Sequence, residues 1–485
     1  MKANIILINP QIGFSPPFGL LYLGAVLERA NHKVEIIEFD SYNKKDFDPE
    51  AEGLVEKIIS KQPDLVGITC MSIHAKIVEK LIASLKKAAK NTPVIVGGVH
   101  ASALPEDMLN IGADIVALGE GERTILSIID YYQGNMKKDI TIDGVAYKDL
   151  NNNIKVNPKI NYEDVNQIPF PAYHLINMNH YLARNTSIRG YWLKNGWILT
   201  SRGCPGRCTF CASYFTHGYA VRERKLDNVI EELSFLSKNY RIEGFWVLDD
   251  TFTIKKERVV EFCRKLRESG LNLKWGCQAR VNFFNKEEAA ELKRSGCLQV
   301  DFGVESGSQR VLDSLKKGIT VEQAKNVFRI CKEHKLRALA TFMIGTPGET
   351  IEDIQETKEL LKEIKPDYAG FFFTTPYPGT ELYQQTLKNN WLDLNDNLSW
   401  ESNASPKFSM NFTSEKLHEI YNDLIKDNFK KTAMGYLRQP LFLMDAMKFS
   451  IYHPLDLLKL LILFSAGKRE KLINTLRELR IRGKF

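Results

Sequence analysis

The sequence predicts an α/β protein built from two parallel units in series. The first is a doubly wound parallel sheet over residues 1–135. The second is a six-stranded partial (β/α)6 barrel over residues 191–410, followed by a helical region, 411–485. Three observations predict this. Short β-branched runs alternate with amphipathic helical stretches, the pattern of parallel strands covered by helices on both faces. The alternation stops near residue 132 and resumes at Trp197. The chain has 485 residues, 44% of them apolar and 26% charged. That profile suits a globular protein with more than one core and excludes a disordered chain or a collagen.

In the first unit the strand-like runs are 4–9, 34–38, 65–70, 93–96 and 114–118. Helical patterns fall at 20–30, 49–60, 76–89, 105–111 and 123–131. Five such strands fit a flavodoxin-like sheet, whose ligands sit beyond the carboxyl ends of the strands at the topological switch point. The segments at those ends are suggestive. Gly13, Pro16 and Pro17 follow the first strand. Thr69, Cys70 and Ser72 close the third, Gly97, Gly98 and His100 the fourth, and Gly119, Glu120, Gly121 and Glu122 the fifth. Glycines let a backbone approach a ligand, and hydroxyls hold phosphate or amide groups. Each segment alone reads better as a tight turn closing its strand; all of them on one rim are harder to read so. Residues 136–190 read as a connector without a core of their own: 149–157 is rich in Asn and Lys, and Pro169 and Pro171 follow.

The second unit has strand candidates at 197–200, 244–248, 274–278, 299–304, 338–344 and 369–374. Helices are expected at 225–238, 256–268, 286–295, 321–333 and 351–364. Chemistry in such barrels sits at the carboxyl ends of the strands.

Charge is uneven along the chain. Residues 430–485 carry a net +8, whereas the first 429 residues carry a net −1. A neutral body with a basic tail lacks the basic stripe of a nucleic-acid-binding protein, so no nucleic-acid partner is expected. No apolar run reaches the ~18–20 residues that span a bilayer. The first residues show no basic leader ahead of a long apolar core, so a cytoplasmic location is expected. In the tail, apolar stretches 440–447 and 457–464 are flanked by Lys448, Lys468, Arg469, Lys471, Arg477, Arg480 and Arg482. Such a segment lies at an anionic membrane surface, peripheral to its inner face. The alternative is a helix packed on the barrel with its charges in water.

Cys204, Cys208 and Cys211 crowd into the loop after the first barrel strand with the spacing Cys-x3-Cys-x2-Cys. In a chain without a signal peptide such crowding points to metal rather than disulfide. Three thiolates can hold three irons of a 4Fe–4S cube and leave the fourth iron open. An open metal position suits catalysis. The alternative is structural zinc with His217 as fourth ligand, although zinc modules usually carry a second cysteine knuckle. Cys70, Cys263, Cys277, Cys297 and Cys331 lie among apolar neighbours and read as small buried residues.

With Phe210 just before Cys211, this run resembles the motif of the radical S-adenosylmethionine (SAM) superfamily. The resemblance implies that the open iron binds the amino and carboxylate groups of SAM. An electron from the reduced cluster then breaks a carbon–sulfur bond and releases a 5′-deoxyadenosyl radical. It implies an oxygen-sensitive protein and an external electron donor such as flavodoxin or ferredoxin. Other strand ends match in order. Asp249 and Asp250 fall where the family meets the SAM amino end, and Arg280 where it could pair with the carboxylate. Glu305 and Ser306 fall at the ribose and methionine contacts, and Ile344 and Gly345 at the adenine contacts.

Segments 64–69, 97–101 and 119–122 resemble the cobalamin-binding domain that precedes the barrel in one large subfamily. The implied cobalamin-binding residues are Thr69, Ser72, Gly97, Gly98, Gly119, Glu120 and Gly121. That subfamily includes methyltransferases acting on unactivated carbon or phosphorus and an anaerobic cyclase of magnesium-porphyrin esters. The chain departs from many cobalamin domains in having no Asp-x-His-x-x-Gly motif. That is usual for this subfamily, and it also fits a remnant that binds no corrinoid. His74 and His100 lie near the rim. The expected function is cobalamin-dependent methyl transfer to carbon of a small molecule, which is hydrophobic if the tail meets a membrane. The alternatives are radical oxidation or cyclisation of a tetrapyrrole or lipid-like substrate, and a non-catalytic corrinoid carrier or sensor.

Overall fold

The structure is a computed structural model. It describes residues 2–10, 13, 15–39, 53–134, 140–182, 187–188, 191–391, 410–437, 440–465 and 475.

The first sheet contains β1 (Asn4–Asn9), β2 (Lys33–Glu38), β3 (Leu65–Thr69), β4 (Val94–Gly97), β5 (Ile115–Ala117), β6 (Val145–Lys148) and β7 (Ile154–Asn157). Their order is β2-β1-β3-β4-β5-β6-β7. The first five are parallel, and the order reverses between β1 and β3, which is the switch point of a doubly wound sheet. Because both faces are covered, β1 has no polar face. Ile5 and Leu7 enter one core while Ile6 and Ile8 enter the other. The sequence reading assigned no strands to residues 136–190. The structure places β6 and β7 there, antiparallel to β5 and to each other. β7 is a polar edge strand with Lys155 and Val156 exposed, whereas β6 is buried at Val145, Ala146 and Tyr147 but only four residues long. Part of the expected helix at 49–60 falls outside the described residues, and the remainder is Leu54–Ile59.

The second unit contains β8 (Asn195–Ile198), a short pair β9 (Ser201–Arg202) and β10 (Arg222–Glu223), then β11 (Gly244–Val247), β12 (Lys274–Ala279), β13 (Cys297–Glu305), β14 (Arg337–Ile344) and β15 (Tyr368–Phe373). Six of these run in sequence order, β8-β11-β12-β13-β14-β15, with every neighbouring pair parallel. The end strands β8 and β15 have one partner each, so the barrel is open. Helices return the chain between strands, and several begin with reciprocal caps. Asn285, Thr320 and Thr350 each accept from the backbone one turn on, where Glu288, Gln323 and Asp353 reach back.

Trp275 anchors the barrel wall. It is fully buried, stacks on Phe245 with centroids 5.7 Å apart, and meets Phe262 edge-on at 5.3 Å. Its indole N–H donates to Ser295 O at 3.1 Å. Trp275→Ala is therefore expected to cost about 3–5 kcal/mol of stability, read as a fall in the denaturant midpoint. A midpoint equal to wild type would refute the anchoring role.

The helix Ser414–Leu437 packs on β15 and buries Leu417, Ile420 and Leu424. The next two helices, Pro440–Tyr452 and Pro454–Ser465, have a small cluster of their own around Phe449 and Leu460. They leave Ile451, Tyr452, Leu455 and Leu458 exposed. The first helix of the tail therefore packs on the barrel, while the described side chains of the next two form a cluster of their own. Lys468, Arg469, Lys471, Arg477, Arg480 and Arg482 lie outside the described residues. Among the described residues no helix is long and apolar enough to cross a membrane.

Candidate active site

The pair β9–β10 aligns Arg202 with Arg222 and Ser201 with Glu223, and so closes the stem of a loop spanning 203–221. The three clustered cysteines lie in that loop. Gly203 starts it with φ +93°, and a Cβ there would lie 2.2 Å from Ala220 O. Only glycine fits that crossing. Beneath the loop, Asp249 at the end of β11 is 1% exposed. It accepts from Thr200 N at 2.6 Å, Thr200 Oγ1 at 2.5 Å and Ser201 Oγ at 2.6 Å. Burial pushes the Asp249 carboxyl up, and these donors oppose the push. The residue ties β11 to the stem of the loop.

A cavity of about 250 Å3 opens at the carboxyl ends of the barrel strands. Cys204, Cys208 and Cys211 line it together with Asp250, Arg280 and Glu305. Thr251 Oγ1 lies 3.7 Å from Cys204 Sγ, and Arg280 Nη1 lies 3.5 Å from Cys208 Sγ. Arg280 also donates to Lys317 O. Burial raises the Cys211 thiol to about 11, aided by Cys208, Asp250 and Cys204 and opposed by the Ser213 amide. Positive charge or metal at this point would favour the thiolate. Among the described residues no three His, Cys, Asp or Glu side chains, these thiols included, converge on one point as the ligands of a single metal ion. The three thiols instead line one shared cavity. His217 turns its Nδ1 to Glu120 at 3.1 Å.

Glu305 has φ +69° beside an irregularity in the pairing of β13 with β14, and its carboxylate pairs with Lys317 Nζ at 2.6 Å. Strained backbone of this kind gathers at functional sites. The remaining residues expected to contact SAM lie outside the cavity wall. Ser306 is fully buried and accepts from Ser308 N at 3.1 Å. Ile344 is buried, and Gly345 N donates to Glu349 Oε2 at 2.7 Å. The sequence reading missed Asp301, Thr341, Lys317 and Tyr219, which also line the cavity. A signal existed: Gln299, Asp301, Gly303 and Glu305 occupy alternate positions of β13, while Val300, Phe302 and Val304 fill the others.

On the first sheet, Thr69, Gly97, Gly98 and Gly119 gather at the carboxyl ends of β3, β4 and β5. Gly98 has φ +101°, and a Cβ there would meet Cys70 O at 2.7 Å. Ser72 Oγ lies 3.1 Å from His100 Nδ1, and Gly119 N donates to Ser102 Oγ at 3.0 Å. Burial lowers both His74 and His100 to about 4, so each ring is neutral at pH 7. Glu120 faces the barrel rather than an open rim. It is buried among Arg202, Arg222 and His217. Burial opposes its ionisation, but hydrogen bonds from His217 and Arg222, the Arg202 charge and the Glu163 amide hold the carboxyl well below the usual range. Gly121 starts the helix Glu122–Gln133.

Cys70, Cys263, Cys277, Cys297 and Cys331 are buried. Burial lifts the Cys70 and Cys263 thiols to about 12. The Cys277 thiol is raised well above its ordinary value by the hydrogen bond with Cys297 and by burial. Thiols held protonated in this way are inert.

Comparison with known proteins agrees with this arrangement. The model of the radical SAM superfamily matches residues 198–361, and that of the B12 binding domain matches residues 9–129. An uncharacterized methyltransferase of Pyrococcus horikoshii is 35% identical over 450 residues, covering 87% of this chain and 94% of that protein. The cytidylyl-2-hydroxyethylphosphonate methyltransferase of Streptomyces wedmorensis is 30% identical, covering 81% and 84%. The anaerobic magnesium-protoporphyrin IX monomethyl ester cyclase of Rubrivivax gelatinosus is 26% identical, covering 76% and 66%. Among solved structures, the cobalamin-dependent SAM radical enzyme OxsB has a TM-score of 0.71 at 18% identity, covering 99% of this chain and 75% of that one. The radical SAM methyltransferase TsrM of Kitasatospora setae has a TM-score of 0.66 at 19% identity, covering 80% and 78%. The chain belongs to the radical SAM enzymes that carry a B12-binding domain, and a 4Fe–4S cluster, SAM and cobalamin are its cofactors.

Proposed function

We propose that this enzyme transfers a methyl group to an unactivated carbon of a small molecule. The observation that carries the reading is the cavity at the barrel mouth, where three thiols face Asp250, Arg280 and Glu305. Cys204, Cys208 and Cys211 would hold three irons and leave the fourth to SAM. When bound, these groups supply reductive cleavage of SAM, hydrogen abstraction from carbon and a transferable methyl group. The chain supplies position and shelter. Asp250 faces the cavity as the partner for an ammonium group. The guanidinium of Arg280 matches a carboxylate in charge and in fork geometry. Phe210, Phe302 and Ala279 keep water from one side of the space. The rim of the first sheet, with Thr69, Ser72, Gly97, Gly98, Gly119 and Gly121, is the side on which cobalamin would sit. An external flavodoxin or ferredoxin would deliver the electron.

Methyl transfer is favoured over cyclisation because two relatives at 30% identity or more are named methyltransferases and are matched over more than four-fifths of their length. The cyclase of Rubrivivax gelatinosus is matched over 66%. Anaerobically purified protein should hold about four irons per chain, as one cube does. It should also hold cobalt and release 5′-deoxyadenosine from SAM under reductant. Iron without 5′-deoxyadenosine would overturn the reading.

Arg280→Lys keeps the charge and loses the fork. The KM for SAM is expected to rise about ten-fold with iron content unchanged, as measured by 5′-deoxyadenosine release. An unchanged KM would remove Arg280 from SAM binding.

We place the protein in the cytoplasm, with the hairpin Pro440–Ser465 resting on an anionic membrane. Its exposed Ile451, Tyr452, Leu455 and Leu458, next to a tail of high positive charge, support this. Cosedimentation with vesicles containing phosphatidylserine, and not with pure phosphatidylcholine vesicles, is expected. Equal partition between the two would refute it.

A further inference from the structure

The cysteine loop is gripped by the first domain. Arg202 lies two residues before Cys204, and its Nη1 sits 3.2 Å from Glu120 Oε1 while its Nη2 donates to Glu122 Oε1 at 2.7 Å. Arg222, across the stem, donates both terminal nitrogens to Glu120, at 2.6 and 2.8 Å. It also donates to His217 O at 2.9 Å. His217 ends the helix Ser213–His217, which follows the last cysteine, and its ring donates to the same carboxylate. The Glu163 amide adds a contact to Glu120 Oε2 at 2.9 Å. The side chain of Glu120 is 1% exposed, and those of Arg202 and Glu122 are each 7% exposed. One carboxylate at the end of β5 thus meets the start of the loop, its helix and its far strand.

We propose that Glu120 is a positioning residue that fixes the cluster-bearing loop, and hence the cluster, against the rim of the B12-binding domain. The physical case is one of commitment. A buried carboxylate with a bidentate arginine partner has no water to fall back on, so its donors are held in one geometry. Glycine at 203 and the two-residue stem hold the loop weakly by themselves. Segment 203–221 would then be ordered through the first domain before any cluster is inserted. The backbones also meet beside the carboxylate: a Cβ on Gly119 would lie 3.5 Å from Phe215 O, within the same loop.

The proposal rests on the reading of Cys204, Cys208 and Cys211 as the cluster ligands, and its test separates the two. Hydrogen exchange of the full-length, iron-free protein is measured first. In Glu120→Gln, amides within 203–221 should exchange about ten-fold faster or more, while β11–β15 exchange as in wild type. After reconstitution, the electron paramagnetic resonance spectrum of the reduced cluster should shift or weaken. Wild-type exchange in 203–221 would overturn the proposal. Should Glu120→Gln loosen the whole chain, Glu122→Gln removes only one Arg202 contact and must speed the same segment alone; an unaltered segment there overturns it equally. A wild-type protein that takes up no iron would sink the ligand assignment and leave the exchange result standing.

Discussion

Alanine at Cys204, Cys208 or Cys211, one at a time, is expected to abolish the iron chromophore and 5′-deoxyadenosine formation together. Each thiolate would be the sole protein ligand of one iron, and three of them define the face of the cube that leaves the fourth iron open. The three cysteines line the cavity, with Arg280 and Thr251 against two of their sulfurs. None of the three is part of the buried apolar core, so the fold should survive. Far-ultraviolet circular dichroism should therefore match wild type while iron per chain falls to background. A variant that keeps its iron and its SAM cleavage would refute the assignment of that cysteine.

Gly203→Ala is expected to have nearly the same effect without touching a ligand. The residue stands at φ +93°, and the added Cβ would lie 2.2 Å from Ala220 O and 3.2 Å from His217 O. The backbone conformation alone costs a side chain about 1–3 kcal/mol, and the collision with a main-chain oxygen adds to it. The strain falls on the stem of the cysteine loop, where β9 meets β10. Iron uptake should drop strongly while the midpoint of barrel unfolding moves little. Full iron loading in this variant would mean that the loop closes in another way.

Much of this was legible in the sequence, for identifiable reasons. Parallel strands buried on both faces are near-continuous apolar runs, so β1 was read at its observed bounds and the other barrel and sheet strands within a few residues. The cysteine spacing is local and carries its own chemistry. The antiparallel strands lack such apolar runs: β7 is a polar edge, and β6, although buried at Val145, Ala146 and Tyr147, is only four residues long. The cavity wall was only half visible. Asp250, Arg280 and Glu305 sit at strand ends where a ligand is expected, whereas Asp301 and Thr341 lie within strands and reveal themselves only by the alternation of the pleat. Glu120 was read as a residue of the cobalamin rim from its place after β5. Its partners Arg202, Arg222 and His217 come from 82 to 102 positions later in the chain, and no local pattern announces such a pairing.

Ile5 and Leu7 of the first sheet share one unbroken apolar interior with Trp197, Phe245 and Phe342 of the barrel. That shared interior ties the two bodies together. Severing the chain between them would strand oily surface on both pieces, so neither half is expected to remain in solution by itself.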